Sequence, residues 1–287
     1  MSKRTYKHQA DVRKQYLRVV DRIGGETSKL SREVSSVLGT YLPSLEQSVN
    51  ANDLRSVSKR IDTFSENAQA SDLMKRALQQ AYAPENIRTK RDAMKATLDL
   101  ATLEYQYGEV KSLAQELYDA GYDEQKHLTD FLNNASLSTD ELKNIVRRDF
   151  YEQTYQQRAV DNATLYRQRL DDVIREYELA EDKDLGDSII HAQHLTEDEK
   201  SDSLRYRSER LATSEDARVR ADVHQELYEK DENIIGYRFV SELNENTCET
   251  CGGLHGKVYL KNEFVKGSTA PPIHPHCACS TEAVYEV

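Results

Sequence analysis

Cys248-Glu249-Thr250-Cys251 and Pro271-Pro272-Ile273-His274-Pro275-His276-Cys277-Ala278-Cys279 together hold all four cysteines of this 287-residue chain. The first 247 residues contain no cysteine, so chance is a poor explanation for this clustering. Two close pairs of thiols, with histidines beside the second pair, match the donor set of a tetrahedral zinc site. This end of the chain therefore predicts a small module that a metal ion stabilises.

The spacing defines five candidate ligands, of which a closed zinc site needs four. Cys248 and Cys251 are two residues apart, which lets both sulfurs face one ion. Cys277 is the natural third ligand. The fourth is His274, which repeats the two-residue gap, or Cys279, which would give four thiolates. Because the supply of ligands exceeds four, we expect a structural zinc ion rather than a catalytic one with an open position.

The segments around the cysteines predict a small α+β module. Residues 234–240 are β-branched and aromatic, as in a strand, and residues 257–260 and 282–287 could form two more strands. The module has too few large apolar residues for a core of its own, a situation in which a structural metal is common.

The chain before residue 236 predicts helices, because it contains only six glycines and two prolines. Apolar residues also recur there with helical spacing, for instance at 110, 113, 114 and 117. Capping-box spacing predicts helix starts at Ser138 and Thr196, and glycines predict helix ends at residues 24–25, 121 and 186.

These patterns predict a mainly α protein with two parts. An elongated helical region spans residues 1–200. A small α+β module spans residues 201–287 and carries a zinc-knuckle-like Cys/His cluster at 248–279.

The net charge of −11 argues against a chain that binds nucleic acid over its whole surface. Residues 3–22 are the exception, since they carry seven basic side chains against Asp11 and Asp21. We find no apolar run long enough to cross a bilayer and no secretory signal, which predicts synthesis in the cytoplasm. Reduced thiols in that compartment favour metal binding over disulfides.

The segment from Leu211 to Cys279 resembles the phage Mu F-like head morphogenesis family, also called phage minor head proteins. The family pattern is a helix, a strand, a Cys-x-x-Cys, a His-Gly-Lys and a closing Pro-Pro-x-His-Pro-x-Cys-x-Cys. This chain has Cys248-x-x-Cys251, His255-Gly256-Lys257 and the closing run 271–279. It departs from the pattern at Ala278, where arginine is usual, and at 213–215, where Thr-Ser-Glu replaces Arg-Thr-Glu.

The resemblance implies a structural minor head protein of a tailed phage, present in several copies per virion and assembled in the host cytoplasm. Its implied partners are the portal, the major capsid protein or a scaffold, which the helical region 1–200 would contact, and packaged DNA. As a hypothesis, residues 3–22 contact the DNA or an acidic surface of the portal. We expect no enzymatic activity and no membrane partner. The alternative is a zinc-stabilised nuclease or another DNA-processing enzyme, in which His255 or His276 would activate water.

Overall fold

The computed structural model describes residues 3–67, 72–129, 132, 135–200, 202–243 and 247–285. The predicted fold, mainly α with a small α+β module at the C-terminal end, is confirmed. Across the described residues the α-helices are α1 (Lys3–Tyr41), α2 (Ala51–Asn67), α3 (Asp72–Ala81), α4 (Lys90–Thr129), α5 (Thr139–Arg147), α6 (Tyr155–Leu179), α7 (Leu185–Glu197), α8 (Leu204–Lys230) and α9 (Glu249–Leu254), and the strands are β1 (Ile234–Val240), β2 (Val258–Leu260) and β3 (Ser280–Tyr285).

The chain packs into two compact units, each assembled from separate stretches of sequence. Unit 1 comprises residues 1–19, 111–158 and 209–287, and unit 2 comprises residues 20–110 and 159–208. The division predicted from the sequence, at residues 200 and 201, stays a prediction.

Unit 2 is a helical assembly with an aliphatic core. Leu30, Val34 and Leu38 recur along α1 at helical spacing and are buried. They belong to one cluster with Leu98 of α4 and Leu170 of α6. A hydrogen bond between Tyr105 and Ser208 adds a polar contact inside this unit.

Unit 1 contains the three-stranded antiparallel sheet, in the order β2-β1-β3. On the central strand, Tyr237 and Phe239 are fully buried, whereas Arg238 between them is exposed. This alternation places one face of the sheet on the interior of the unit. The three predicted strands are confirmed over the described residues, with β3 beginning at Ser280, directly after Cys279. Residues 286 and 287 of the third predicted strand lie outside the described residues.

Helix α8 is buried on several sides in unit 1, where it packs against other helices and carries polar residues into the interior. Gly121 of α4 allows one of these close approaches, because a Cβ there would meet the side chain of Val219 at 3.1 Å. The predicted helix end at Gly121 is therefore wrong, since α4 continues to Thr129. Here glycine serves helix packing rather than helix termination.

Of the other predicted helix limits, one is confirmed and three are wrong. Ser138 caps α5 in a complete capping box with Glu141, as predicted. Thr196 does not start a helix, because it lies in the last turn of α7, where its hydroxyl donates to the carbonyl of Ala192. The glycines at 24–25 lie inside α1, and Gly186 lies in the first turn of α7, so neither ends a helix.

None of the helices formed by the described residues combines the length and the apolar character that crossing a bilayer requires.

Candidate metal centre

The first cysteine pair lies at the start of the short helix α9. Cys248 is the N-cap residue, and its sulfur accepts a hydrogen bond from the backbone N–H of Cys251 at 3.3 Å. An N-cap and the third helical residue lie on the same side of the first turn. The Cys-x-x-Cys spacing thus turns both sulfurs toward one point, with Cys251 buried and Cys248 half-buried.

His274 presents its Nε2 atom to these two sulfurs. Its Nδ1 atom lies 2.7 Å from the carbonyl oxygen of Pro275, to which it can donate its proton. Nε2 then carries the free lone pair, and it lies 3.2 Å from the sulfur of Cys248 and 3.3 Å from that of Cys251. A hydrogen bond from the second ring nitrogen to a carbonyl is the usual arrangement for a histidine that binds zinc.

The five predicted ligands form two overlapping groups. Cys248, Cys251 and His274 make one group, and Cys251, Cys277 and Cys279 make the other, with ligand atoms in each group within 4.8 Å of one another. Cys251 belongs to both groups. The structure therefore brings together all five residues singled out in the sequence.

The separations fit the dimensions of a tetrahedral zinc site. Zinc–sulfur bonds of about 2.3 Å and zinc–nitrogen bonds of about 2.0 Å imply sulfur–sulfur separations of about 3.8 Å and sulfur–nitrogen separations of about 3.5 Å. The sulfurs of Cys251 and Cys277 are 4.0 Å apart, and the two sulfur–Nε2 distances lie within about 0.3 Å of the ideal value. The donor set suits a soft divalent ion such as zinc.

The thiols differ in how easily they lose a proton. A hydrogen bond from the Cys279 side chain lowers the pKa of Cys277 to about 5, whereas burial raises the pKa of Cys251 to about 12. The same interaction with Cys277 raises the pKa of Cys279. Cys277 is thus the thiol that most readily supplies a thiolate, and a bound cation would favour deprotonation of the others.

The two histidines considered for a nuclease occupy structural positions. Nδ1 of His255 accepts a hydrogen bond from the backbone N–H of Ser241, and Nδ1 of His276 is 2.9 Å from the hydroxyl of Thr213. Among the described residues, the only groups with metal-ligand geometry are the two that contain the cysteines. No second metal site for phosphate chemistry accompanies them in this part of the chain.

A cavity of about 430 Å³ lies beside the cysteines in unit 1. Its wall includes Glu124, whose carboxylate contacts Nε2 of His224 at 2.6 Å and the guanidinium of Arg220 at 2.7 Å. The other ring nitrogen of His224 lies 2.7 Å from the hydroxyl of Thr281. The sequence alone did not indicate this network, because its members lie up to 157 positions apart in the chain.

A second buried network surrounds Arg218, whose side chain is fully buried. Its guanidinium contacts Glu215 at 2.7 Å and Asp222 at 2.8 Å, and it donates to the carbonyl oxygens of Ile145 and Val146 near the end of α5. Arg158 also pairs with Glu215, and Lys266 pairs with Asp222. The charges are thus compensated around α8, and the network joins four segments of unit 1. The helical periodicity of the sequence did not indicate this network, because charged residues stand at interior positions of α8 where apolar residues are expected.

All five candidate ligands lie in the part of the chain that matches a known protein family. The family model of Phage Mu protein F like protein matches residues 187–282. This confirms the resemblance and extends it toward the N-terminus, from Leu211 to Asp187. We call residues 187–282 the Mu F-like region, and they contain all five candidate ligands. The family match suggests a phage head protein associated with the virion. No curated protein and no solved structure matches the chain.

Proposed function

We propose that this protein is a structural minor head protein of a tailed bacteriophage, acting in head morphogenesis at or near the portal. The observation that carries the proposal is the family match over the Mu F-like region. Within that region the Cys-x-x-Cys and the closing motif bring their five candidate metal ligands close together. Its partners in this role are the portal and the major capsid or scaffold protein, and several copies are present in each particle.

In this proposal a zinc ion holds the C-terminal module together and takes no part in catalysis. Cys248, Cys251, His274 and Cys277 bind it, with Cys279 as the alternative to His274. The free lone pair of His274 beside two sulfurs supports the first set. Closed zinc sites of this kind fix loops that lack a core of their own.

The choice of fourth ligand predicts different zinc contents for two single variants. His274→Ala is expected to retain well below half of the zinc, because it removes the only nitrogen ligand of the set. Cys279→Ala is expected to retain close to one zinc per chain. Elemental analysis of both purified variants checks this, with His194→Ala, an exposed histidine of α7 outside the cluster, as the control. Full zinc in His274→Ala and loss in Cys279→Ala would make Cys279 the fourth ligand.

We also propose that the first helix contacts packaged DNA. The side chains of residues 3–9 lie outside the described part of the structure. Further along α1, Arg13, Lys14 and Arg18 are exposed, and Lys14 forms an ion pair with Asp11 at 3.4 Å. Exposed basic side chains on one helix can follow a phosphate backbone.

Reversing these three charges is expected to weaken binding to duplex DNA at least about tenfold at low salt, because three phosphate contacts are lost. The salt dependence, plotted as log K against log salt, is expected to become shallower by about 2 to 3. Fluorescence anisotropy with a labelled duplex measures both. The matched control is the reversal of Lys111, Lys143 and Arg147, which are also exposed and lie on other helices of unit 1. Equal losses in the two triple variants would point to net charge rather than to α1.

A further inference from the structure

Unit 2 contains a pocket of about 220 Å³ beside the segment that joins the end of α6 to the start of α7. Its wall carries the carboxylates of Glu176, Asp182, Asp184 and Asp187. Among the described residues that line this pocket there is no lysine and no arginine. We call it the acidic pocket. It shares no residue with the Cys/His cluster, which belongs to unit 1.

Two of these carboxylates have a partner in the described part of the chain, and two have none. Asp184 accepts a hydrogen bond from the backbone N–H of Asp187 at 3.0 Å and so caps α7. Glu176 lies 3.4 Å from Nδ1 of His191, which is charged only when protonated. The side chains of Asp182 and Asp187 form no ion pair and no hydrogen bond with the described residues. The pocket therefore carries more negative charge than its own partners neutralise.

The helix ends beside the pocket account for only part of this charge. Asp184 and Asp187 stand at the start of α7, where acidic residues are favourable. The end of α6 has the opposite requirement, since a helix carries partial negative charge at its C-terminus, yet its last turn contains no basic residue. Lys183 follows α6, and its exposed ammonium group lies 5.7 Å from the centroid of the Tyr177 ring. One lysine offsets one charge, and the remainder favours a cation from solution.

A buried tyrosine adds an uncharged acceptor to the acidic pocket. Tyr177 lines the pocket and is otherwise enclosed, with 8% of its surface exposed. Its hydroxyl has no hydrogen-bond partner among the described residues. The buried Tyr105 and Tyr166 of the same unit each bond another hydroxyl, as buried tyrosines normally do. The hydroxyl of Tyr177 is therefore available to a ligand, and the position of Lys183 shows that its ring accommodates a primary ammonium group.

Size and geometry narrow the class of ligand. Drug-sized ligands occupy pockets of about 300–1,000 Å³, so the acidic pocket suits a smaller molecule. Its carboxylates do not converge on one metal ion, because the groups with metal-ligand geometry in the described part of the chain all contain cysteines. Separated negative charges fit a cation that is charged at more than one point. Val173 and Ala180, which also line the pocket, fit an aliphatic stem.

We propose that the acidic pocket binds an aliphatic polyamine, whose ammonium groups pair with Glu176, Asp182 and Asp187 and donate to the hydroxyl of Tyr177. A primary ammonium group has three donors and no acceptor, which matches a wall of carboxylates and a hydroxyl. The side chain of a lysine carries the same group, but it offers only one charge to several carboxylates. The inference does not rest on the role in the phage head, because it concerns unit 2 of the isolated protein.

Isothermal titration calorimetry of the full-length, zinc-loaded protein with spermidine is the first test. We expect a single saturable site per chain. The double change Asp182→Asn, Asp187→Asn is expected to weaken binding at least about tenfold, because charge-assisted hydrogen bonds are lost. Tyr177→Phe is expected to weaken binding about threefold, because it removes one hydrogen bond and keeps the ring.

The matched control is the double change Glu85→Gln, Glu181→Gln, which removes two exposed carboxylates of unit 2 that do not line the pocket. It should change the affinity less than about twofold. Equal losses in the two double variants would overturn the pocket and assign the binding to the net charge of −11. Absence of saturable binding at low salt would overturn it as well.

Hydrogen–deuterium exchange locates the site and separates the two sources of the ammonium group. Spermidine is expected to slow the exchange of amides in residues 176–191 and to leave residues 209–230 unchanged. A uniform change along the chain would contradict a site in the acidic pocket. Nα-acetyl-lysine amide is expected to bind at least about tenfold more weakly than spermidine, since it has one charge. Equal affinity would overturn the polyamine and assign the pocket to a lysine side chain of a partner.

Discussion

Cys251→Ser is expected to reduce the zinc content from about one ion per chain to a small fraction and to unfold the C-terminal module. Cys251 is the buried residue that both groups of candidate ligands share, so its loss breaks the site whichever fourth ligand completes it. Structural zinc contributes on the order of 10 kcal/mol of apparent binding free energy in small metal-dependent domains. A serine hydroxyl is a poor substitute for a thiolate at a soft ion.

The measurement combines elemental analysis with near-ultraviolet circular dichroism and limited proteolysis of the purified variant. Thr250→Ser, an exposed change at the neighbouring position, serves as the control and should behave as wild type. Treatment of the wild type with a chelator should reproduce the effect of Cys251→Ser. A variant that keeps one zinc per chain and resists proteolysis at 248–279 would contradict a site built on Cys251.

Arg218→Met is expected to lower the free energy of unfolding by about 3–5 kcal/mol, the usual cost of removing one partner from a buried charge network. The change leaves Glu215 and Asp222 buried with one cation fewer, and it takes the guanidinium donors from the carbonyls of Ile145 and Val146. Methionine fills most of the space, so the loss reflects charge and hydrogen bonding rather than a cavity.

Urea denaturation followed by circular dichroism measures this change. Arg210→Met is the matched control, because Arg210 lies on the same helix and is exposed, and it should cost less than about 0.5 kcal/mol. The triple variant Arg218→Met, Glu215→Gln, Asp222→Asn should recover part of the loss, since it removes the uncompensated carboxylates. A cost below about 1 kcal/mol for Arg218→Met alone would show that the remaining cations, Arg158 and Lys266, suffice.

Local sequence signals predicted the parts of the structure that depend on neighbouring residues. The capping box at Ser138 and the strand at 234–240 are formed within a few positions, and both appear as predicted. The metal ligands could also be singled out, because Cys-x-x-Cys and His-x-x-Cys each bring their donors to one side of a short segment. Convergence of the two segments followed from the requirement of four ligands for one ion.

Long-range packing decided the features that the sequence did not reveal. Gly121 has the local appearance of a helix end, yet it is needed where α4 approaches Val219. Thr196 has the spacing of a helix start, but its hydroxyl bonds inside unit 2, to Tyr166. The charges at 215, 218 and 222 resemble a solvated helix face, and only the segments that fold over α8 reveal them as interior residues. The periodicity of a single helix gives no information about contacts with segments that are distant in the sequence.

The division of the two units along the chain has a consequence for synthesis on the ribosome. All residues of unit 2 have been translated once residue 208 is added, whereas unit 1 needs residues 209–287 to join stretches made much earlier. Domains fold as units while translation proceeds. Unit 2 can therefore form during elongation. Residues 111–158 cannot complete their packing until α8 and the loop that carries Lys266, which pairs with Asp222 of α8, have been synthesised. A nascent chain arrested once residue 208 has left the ribosome, and before residue 287 is added, should hold a protease-resistant unit 2 beside a still accessible 111–158.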